Sequence, residues 1–145
     1  MNDMKKFILM TCLLMLTLTG VMAQETKTTA NTQATQENKA QIKFDKVLHN
    51  FGSFSESNPV QTCIFTFTNA GTTPLIINQA VASCGCTVPE YTKQPIAPGQ
   101  KGEIKVTYNG KGKFPGHFKK TITIRTNGVP EMTRLYIEGN MEEAK

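Results

Sequence analysis

From residue 42 onward, apolar and polar residues alternate in short runs that are separated by glycine, proline and asparagine. In the run 62–68, for example, Cys63, Phe65 and Phe67 share one parity. Alternation of this kind is typical of a β-strand with one buried face, whereas a surface helix repeats its apolar positions every 3.6 residues or so, at about 100° per residue. Similar runs occur at 42–45, 104–108, 118–125 and 134–138. The pattern therefore predicts an all-β domain.

Strands with one apolar face need a second sheet to cover that face, which favours a sandwich. About seven strands in roughly 100 residues predict an immunoglobulin-like antiparallel β-sandwich. The chain has no Trp, so the Cys…Trp…Cys spacing of antibody domains is absent and the likeness is one of architecture. A hairpin around the turn 69–74 is expected to place Thr68 opposite Leu75 and Cys63 opposite Ala80. Lys120 has the inward parity of its run, which a strand-end position with a snorkelling stem would explain.

Residues 1–23 have the pattern of a secretory signal peptide. Lys5 and Lys6 precede an apolar run over 7–18, and Ala23 provides a small residue at the cleavage position. A spanning helix needs about 20 apolar residues, so this run is too short, and no second apolar run follows it. We therefore expect a periplasmic or secreted product with no transmembrane segment in the mature chain.

The remaining chain divides by composition. Residues 24–41 are rich in Thr and Gln and have no apolar residue larger than Ala, which predicts a flexible, disordered tether. The sandwich is expected over 42–140, followed by a short tail over 141–145. Cys12 lies inside the apolar run, which continues beyond it, whereas a lipid-anchoring cysteine normally follows such a run. A lipoprotein is therefore not expected.

The formal net charge of the whole chain is +5, and it is +4 without the two lysines and one aspartate of the signal segment. This balance is only mildly basic and does not indicate a nucleic-acid partner, which an exported destination also disfavours. The expected partner is a protein or a component of the cell envelope. The sequence does not predict an oligomeric state.

A set of short fragments together resembles the DUF1573 family, a bacterial domain of unknown function typically found in exported proteins. The family is itself similar to Hydin-like and major-sperm-protein-like immunoglobulin modules. The fragments are FTFTNAG (65–71), PLII (74–77), SCGCT (83–87), IAPG (96–99), GHFKKTI (116–122), TN (126–127) and LYIEG (135–139). The resemblance covers 42–140 and implies an exported immunoglobulin-like sandwich, but it implies no reaction, because a fold alone does not define one.

The sharpest local feature is the motif Cys84-Gly85-Cys86. Gly85 is expected to let the backbone bend so that both sulfurs face one point, where two thiolates suit a soft ion such as Cu(I), or Zn(II) with further ligands. A Cys84–Cys86 disulfide would close a small, easily reduced ring. The third interpretation is a compact structural loop packed partly by sulfur. The sequence predicts no bound cofactor.

Cys63 is expected to point into the core. The hairpin described above would bring it near the loop with Cys84, so a disulfide from Cys63 to Cys84 or Cys86 is one hypothesis, worth about 2–4 kcal/mol. A buried free thiol that acts as a small hydrophobe is the simpler alternative.

No catalytic residues are predicted. A catalytic pair of Cys84 or Cys86 with His49 or His117 is conceivable, but no oxyanion-hole motif accompanies it, and hydrolase, zincin, P-loop and dinucleotide motifs are missing. The expected function is that of a non-catalytic module with a binding or scaffold role, and the alternative is a soft-metal or redox protein using Cys84 and Cys86.

The basic segment 109–118 has three glycines that indicate a mobile tip, or else it is a solvated face. The expected partner contacts are Ser83, Cys84, Gly85, Cys86, Thr87, Lys111, Lys113 and His117.

Overall fold

The computed structural model describes residues 38–144, and within them it contains eight strands and no helix. The strands are β1 (Ile42–Phe44), β2 (Leu48–Ser55), β3 (Val60–Asn69), β4 (Ile77–Ala82), β5 (Thr87–Tyr91), β6 (Lys101–Asn109), β7 (Gly116–Thr126) and β8 (Met132–Glu142). They form two four-stranded sheets, ordered β1-β3-β6-β5 and β2-β8-β7-β4. The all-β sandwich predicted from the alternation is confirmed.

The core lies between the two sheets and consists of the inward parity of each strand. Phe65 of β3 pairs with Ile104 of β6, and both side chains are fully buried. The other sheet contributes Ile122 of β7, which pairs with Leu135 of β8. Burial of these apolar faces provides the main favourable term for folding.

Two expectations about strand pairing are wrong. β3 and β4 do not form a hairpin, because the chain crosses between the sheets after Asn69, so Cys63 pairs with Val106 and Ala80 pairs with Ile124. The sandwich is also not wholly antiparallel, since β2 pairs with β8 in parallel.

The side chain of Asn69 organises the crossing that follows β3. It is fully buried, and its oxygen accepts hydrogen bonds from the backbone N–H groups of Gln41 (3.2 Å) and Gly71 (3.0 Å). Its amide nitrogen donates to the carbonyls of Thr73 (2.8 Å) and Ile96 (2.9 Å). All of the donors and acceptors of this buried amide are therefore engaged, as burial of a polar group requires.

The domain begins and ends slightly beyond the predicted boundaries. The sequence predicts Ala40 in the tether, but it is 1% exposed, and its backbone passes so close to Gly71 and Gly128 that neither position has room for a Cβ. At the other end β8 continues to Glu142, and Met141 is buried rather than part of a tail. The predicted signal peptide and most of the predicted tether, residues 1–37, lie outside the described residues. Within 38–144 no helix is long and apolar enough to cross a membrane.

Candidate functional site

Two connections that cross between the sheets lie together at one end of the sandwich, which we call the loop end. The disulfide loop (83–86) joins β4 to β5, and the basic tip (110–115) joins β6 to β7. The two are linked directly, because the backbone N–H of Asn109 donates to the carbonyl of Cys86 over 2.8 Å. Both segments that the sequence singled out for partner contact therefore belong to one surface.

Cys84 and Cys86 form a disulfide with each other, with their Cα atoms 5.3 Å apart. Cys63 is instead a free, buried thiol. The hypothesis that it bonds to Cys84 or Cys86 depended on the β3–β4 hairpin, and with β4 in the opposite sheet that support is removed. Burial raises the pKa of the Cys63 thiol to about 11, although Lys46 acts to lower it.

The joined sulfurs of Cys84 and Cys86 offer no thiolate to a metal, so the predicted use of this pair as metal ligands requires the reduced form. Among the residues that the structure describes, no group of three or more His, Cys, Asp and Glu side chains is arranged to hold a metal ion. A third protein ligand beside the pair is therefore not supplied by this part of the chain.

Gly85 is not required for the turn in the way that the sequence suggested. Its backbone is not in the left-handed region, unlike that of Gly112 (φ 71°) and Gly116 (φ 134°) around the basic tip. It is exposed, and no atom outside its neighbours Cys84 and Cys86 lies within 4 Å of where its Cβ would be. A side chain at this position would therefore meet no other part of the domain.

Thr87, the first residue of β5, was expected to be a contact residue, but it is only 4% exposed. Its hydroxyl oxygen lies 3.7 Å from Sγ of Cys84 and 3.8 Å from Sγ of Cys86. Thr87 therefore contacts the disulfide from its buried side and is not available to a partner. Sequence reasoning placed Thr87 beside the motif but did not identify this contact, because alternation does not show which way a side chain at a strand start points.

A pocket of about 230 Å³ separates the disulfide loop from the basic tip. Its floor is the ring stack of Tyr108 and Phe118, whose centroids are 4.0 Å apart. The remaining lining comes from Cys86, Lys113, Phe114, Pro115, Gly116, His117 and Lys120. Pockets for drug-sized ligands usually enclose about 300–1,000 Å³, so this one suits a single side chain better than a cofactor.

The walls of the pocket are cationic on the side of the tip. Lys113 and the half-buried Lys120 both line it. Lys120 has the inward parity noted in the sequence, but it lies within β7 and not at a strand end. Phe114 is 95% exposed, which is unusual for so large an apolar side chain. The loop end therefore combines positive charge with an exposed aromatic ring. Lys111, also expected to be a contact, is exposed on the tip, but it is not part of the pocket lining.

The two histidines have different surroundings. His117 shares the pocket with Cys86, whereas His49 lies on β2 with its ring 4.7 Å from that of Phe51 and 6.5 Å from that of Phe65. Burial lowers the pKa of His49, and Lys46 lowers it further. Of the pairs weighed from the sequence, the structure thus brings together only Cys86 and His117, and Cys86 is held in the disulfide.

Several solved structures share this fold. A protein of unknown function from Porphyromonas gingivalis W83 has a TM-score of 0.64 at 14% identity, over 76% of this chain and 51% of that one. The ASH/PapD-like domain 7 of human CEP192 has a TM-score of 0.58 at 10% identity, over 91% and 100%. The periplasmic chaperone SfaE has a TM-score of 0.51 at 7% identity, over 72% and 59%. At these identities the likeness shows the fold alone, which is a PapD-like, immunoglobulin-like sandwich.

The sequence itself defines the family. The family model described as protein of unknown function (DUF1573) matches residues 42–141, so the chain belongs to that family. The resemblance found in the short motifs is thereby confirmed. The chain spans about half the length of the Porphyromonas protein. No curated protein matches this chain in sequence.

Proposed function

We propose that this protein is an exported, non-catalytic module that binds a protein partner, or a protein component of the cell envelope, through its loop end. One observation carries the proposal: the disulfide loop and the basic tip converge around a small pocket, with Phe114 almost fully exposed beside it. The export part of the proposal depends on the signal-peptide pattern of residues 1–23.

The chemistry of the loop end indicates what the partner offers. Large aromatic side chains are the usual anchors of protein interfaces, because a single ring removes much apolar area from water when it enters a socket. Lys111 and Lys113 flank this ring and are exposed. A partner with an apolar socket and nearby carboxylates would complement both features, and the opposite charges would speed association.

The fold neighbours support a binding role in a limited way. SfaE is described as a periplasmic chaperone, and a chaperone acts by binding other polypeptides. The fold is thus compatible with protein recognition outside the cytoplasm. The partner contacts proposed here come from the residues of this chain and not from SfaE.

A cross-linking pull-down with the full chain, expressed in its native cell, tests the binding role. We expect the double variant Phe114→Ala with Lys113→Glu to recover at least about tenfold less of the partner, since an anchor of this kind typically contributes 2 kcal/mol or more, about a 30-fold change in affinity. The matched control is Val129→Ala with Lys101→Glu. It changes an exposed apolar residue and a lysine at the opposite end of the sandwich, and it should recover the partner normally.

Equal recovery by the two double variants would show that the loop end is not the binding surface. Export is tested separately by N-terminal sequencing of the protein from the extracytoplasmic fraction. We expect the mature chain to begin at Gln24. A chain found only in the cytoplasm, with residues 1–23 retained, would contradict the proposal.

A further inference from the structure

We infer that the Cys84–Cys86 disulfide is a thiol–disulfide exchange site that accepts two electrons from a dithiol on a polypeptide. The inference goes beyond the binding role and does not depend on it. It rests on the short loop that the disulfide closes, the partial exposure of both cysteines, and the groups placed to stabilise a departing thiolate.

The disulfide is poorly suited to stabilising the fold. A disulfide stabilises mainly by restricting the unfolded chain, and the effect grows with the length of the closed loop. This bond encloses the single residue Gly85. The backbone of the loop is already held by hydrogen bonds from Ser83 N–H to the Thr121 carbonyl (2.8 Å) and from Thr87 N–H to the Cys84 carbonyl (3.2 Å). These hydrogen bonds hold the backbone conformation of the loop without the disulfide.

The disulfide is accessible to an attacking thiolate. Gly85 between the two cysteines is exposed, no atom outside Cys84 and Cys86 lies within 4 Å of where its Cβ would be, and both cysteines are only half-buried. Exposed disulfides are the labile ones, whereas structural disulfides are protected from exchange. The other cysteine within residues 38–144, Cys63, has its thiol buried in the core. It is therefore not part of this exchange.

The surroundings of the sulfurs favour charge on Cys86. The hydroxyl of Thr87 is within reach of both sulfurs, and its only hydrogen-bond partners that the structure shows are these two. A hydroxyl can donate to a thiolate, so it gains a stronger acceptor when the disulfide opens. Cys86 also lines the pocket that Lys113 and Lys120 line. The positive charges of these two lysines in the same pocket make Cys86 the better leaving group.

The exchange takes place in two steps that balance. A thiolate of the polypeptide attacks Sγ of Cys84, which forms a mixed disulfide and breaks the Cys84–Cys86 bond, and Cys86 leaves as a thiolate. The second thiolate of the polypeptide then attacks the sulfur of the polypeptide's first cysteine. This forms the polypeptide disulfide, breaks the mixed disulfide and releases Cys84 as a thiolate. The dithiol is oxidised to a disulfide and loses two electrons, and Cys84 and Cys86 are reduced. The protein acts as a stoichiometric oxidant, and a polypeptide disulfide restores it by the reverse steps.

The test uses the oxidised full chain and a synthetic peptide that contains two cysteines. Samples are quenched with an alkylating reagent, and peptide mapping assigns the modification to each cysteine separately. We expect the peptide to reduce Cys84–Cys86 at least about tenfold faster than it reduces oxidised glutathione at the same concentration, because an accessible disulfide with a stabilised leaving group exchanges faster. With reduced glutathione as a monothiol, the trapped adduct should lie on Cys84.

Matched variants separate this site from a disulfide that is merely exposed. Thr87→Val removes the hydroxyl at similar volume and should slow the reduction several-fold, while Thr87→Ser should restore it. The double variant Lys113→Gln with Lys120→Gln should also slow it, and Lys101→Gln at the far end should not. Reduction no faster than that of oxidised glutathione overturns the inference, and so does a rate that Thr87→Val and the lysine pair both leave unchanged. The lysine pair keeps the test valid if Thr87→Val fails to fold.

Discussion

The ring of Tyr108 stacks on the ring of Phe118, with 4.0 Å between centroids and 6° between planes. Tyr108 belongs to β6 of one sheet and Phe118 to β7 of the other, so this stack joins the two sheets where the basic tip leaves them. Phe54 packs edge-on against both rings. Burial also raises the pKa of the Tyr108 phenol. The exposed tip therefore leaves the sandwich at a cluster of three packed aromatic rings.

We expect Phe118→Ala to lower the free energy of unfolding by about 3–5 kcal/mol, because it removes a buried ring and leaves a cavity between the sheets. Phe114→Ala is the matched control, since its ring is 95% exposed, and it should change stability by less than about 0.5 kcal/mol. Urea unfolding followed by far-ultraviolet circular dichroism measures both. Similar losses for the two variants would contradict the assignment of Phe118 to the core.

Asn69→Ala should cost more than about 2 kcal/mol, because the N–H groups of Gln41 and Gly71 lose their buried acceptor, and an unsatisfied buried group costs about 1–3 kcal/mol. The control is Asn78→Ala on the exposed face of β4, which should be nearly neutral. Thermal unfolding of the two variants gives the comparison. An unchanged midpoint for Asn69→Ala would show that the crossing does not depend on this amide.

Two glycines should respond differently to alanine. A Cβ at Gly102 would overlap the ring of Phe67, which is fully buried, so Gly102→Ala should destabilise the domain by about 1–3 kcal/mol. Gly85→Ala places its methyl group in open space and should leave stability unchanged within about 0.5 kcal/mol. Chemical denaturation of both variants checks this. A large loss for Gly85→Ala would mean that the disulfide loop requires glycine after all.

The buried thiol of Cys63 should make stability depend on pH in the alkaline range. Its pKa is about 11 in the folded state against 9.0 for an unperturbed thiol, mainly because of burial. The folded chain thus keeps a proton that the unfolded chain loses, and stability should fall as pH rises through this range, by up to about 1.4 kcal/mol per pH unit. Cys63→Ala lacks this contribution. Urea unfolding from pH 8 to 11 measures the free energy of unfolding of both proteins. The wild type should lose stability relative to Cys63→Ala as the pH rises. A constant difference would refute the raised pKa of the buried Cys63 thiol.

For the strands that alternation identified, it also predicted which side is buried, as Phe65 and Phe67 illustrate. The strands Leu48–Ser55 and Thr87–Tyr91 were not identified in this way. Alternation was not sufficient to predict which strands are neighbours, because parity defines a face and not a partner. The crossing to the other sheet after Asn69 is one such case. The side-chain amide of Asn69 makes four hydrogen bonds that hold this crossing, and nothing in the local sequence indicates them. Ala40 was missed for a similar reason, since its burial depends on the space that Gly71 and Gly128 leave.

The candidate site was predicted in part. Residues 83–87 and the basic segment were identified from composition, but their meeting at one end depends on two crossings between sheets that the sequence does not reveal. Phe114 was not singled out, although a phenylalanine between Gly112 and Gly116 was the available signal. Both glycines have positive φ, and the ring that lies between them in the sequence is 95% exposed.

The parallel pairing of β2 with β8 has a consequence for biosynthesis. Leu48–Ser55 is made well before its neighbour in the sheet, Met132–Glu142. Contacts so distant along a chain form slowly, and incomplete sheets expose edges that aggregate. Until Met132–Glu142 has been made and has paired, the backbone groups of Leu48–Ser55 have no partner strand, so a product truncated before Met132 should be a target for quality control.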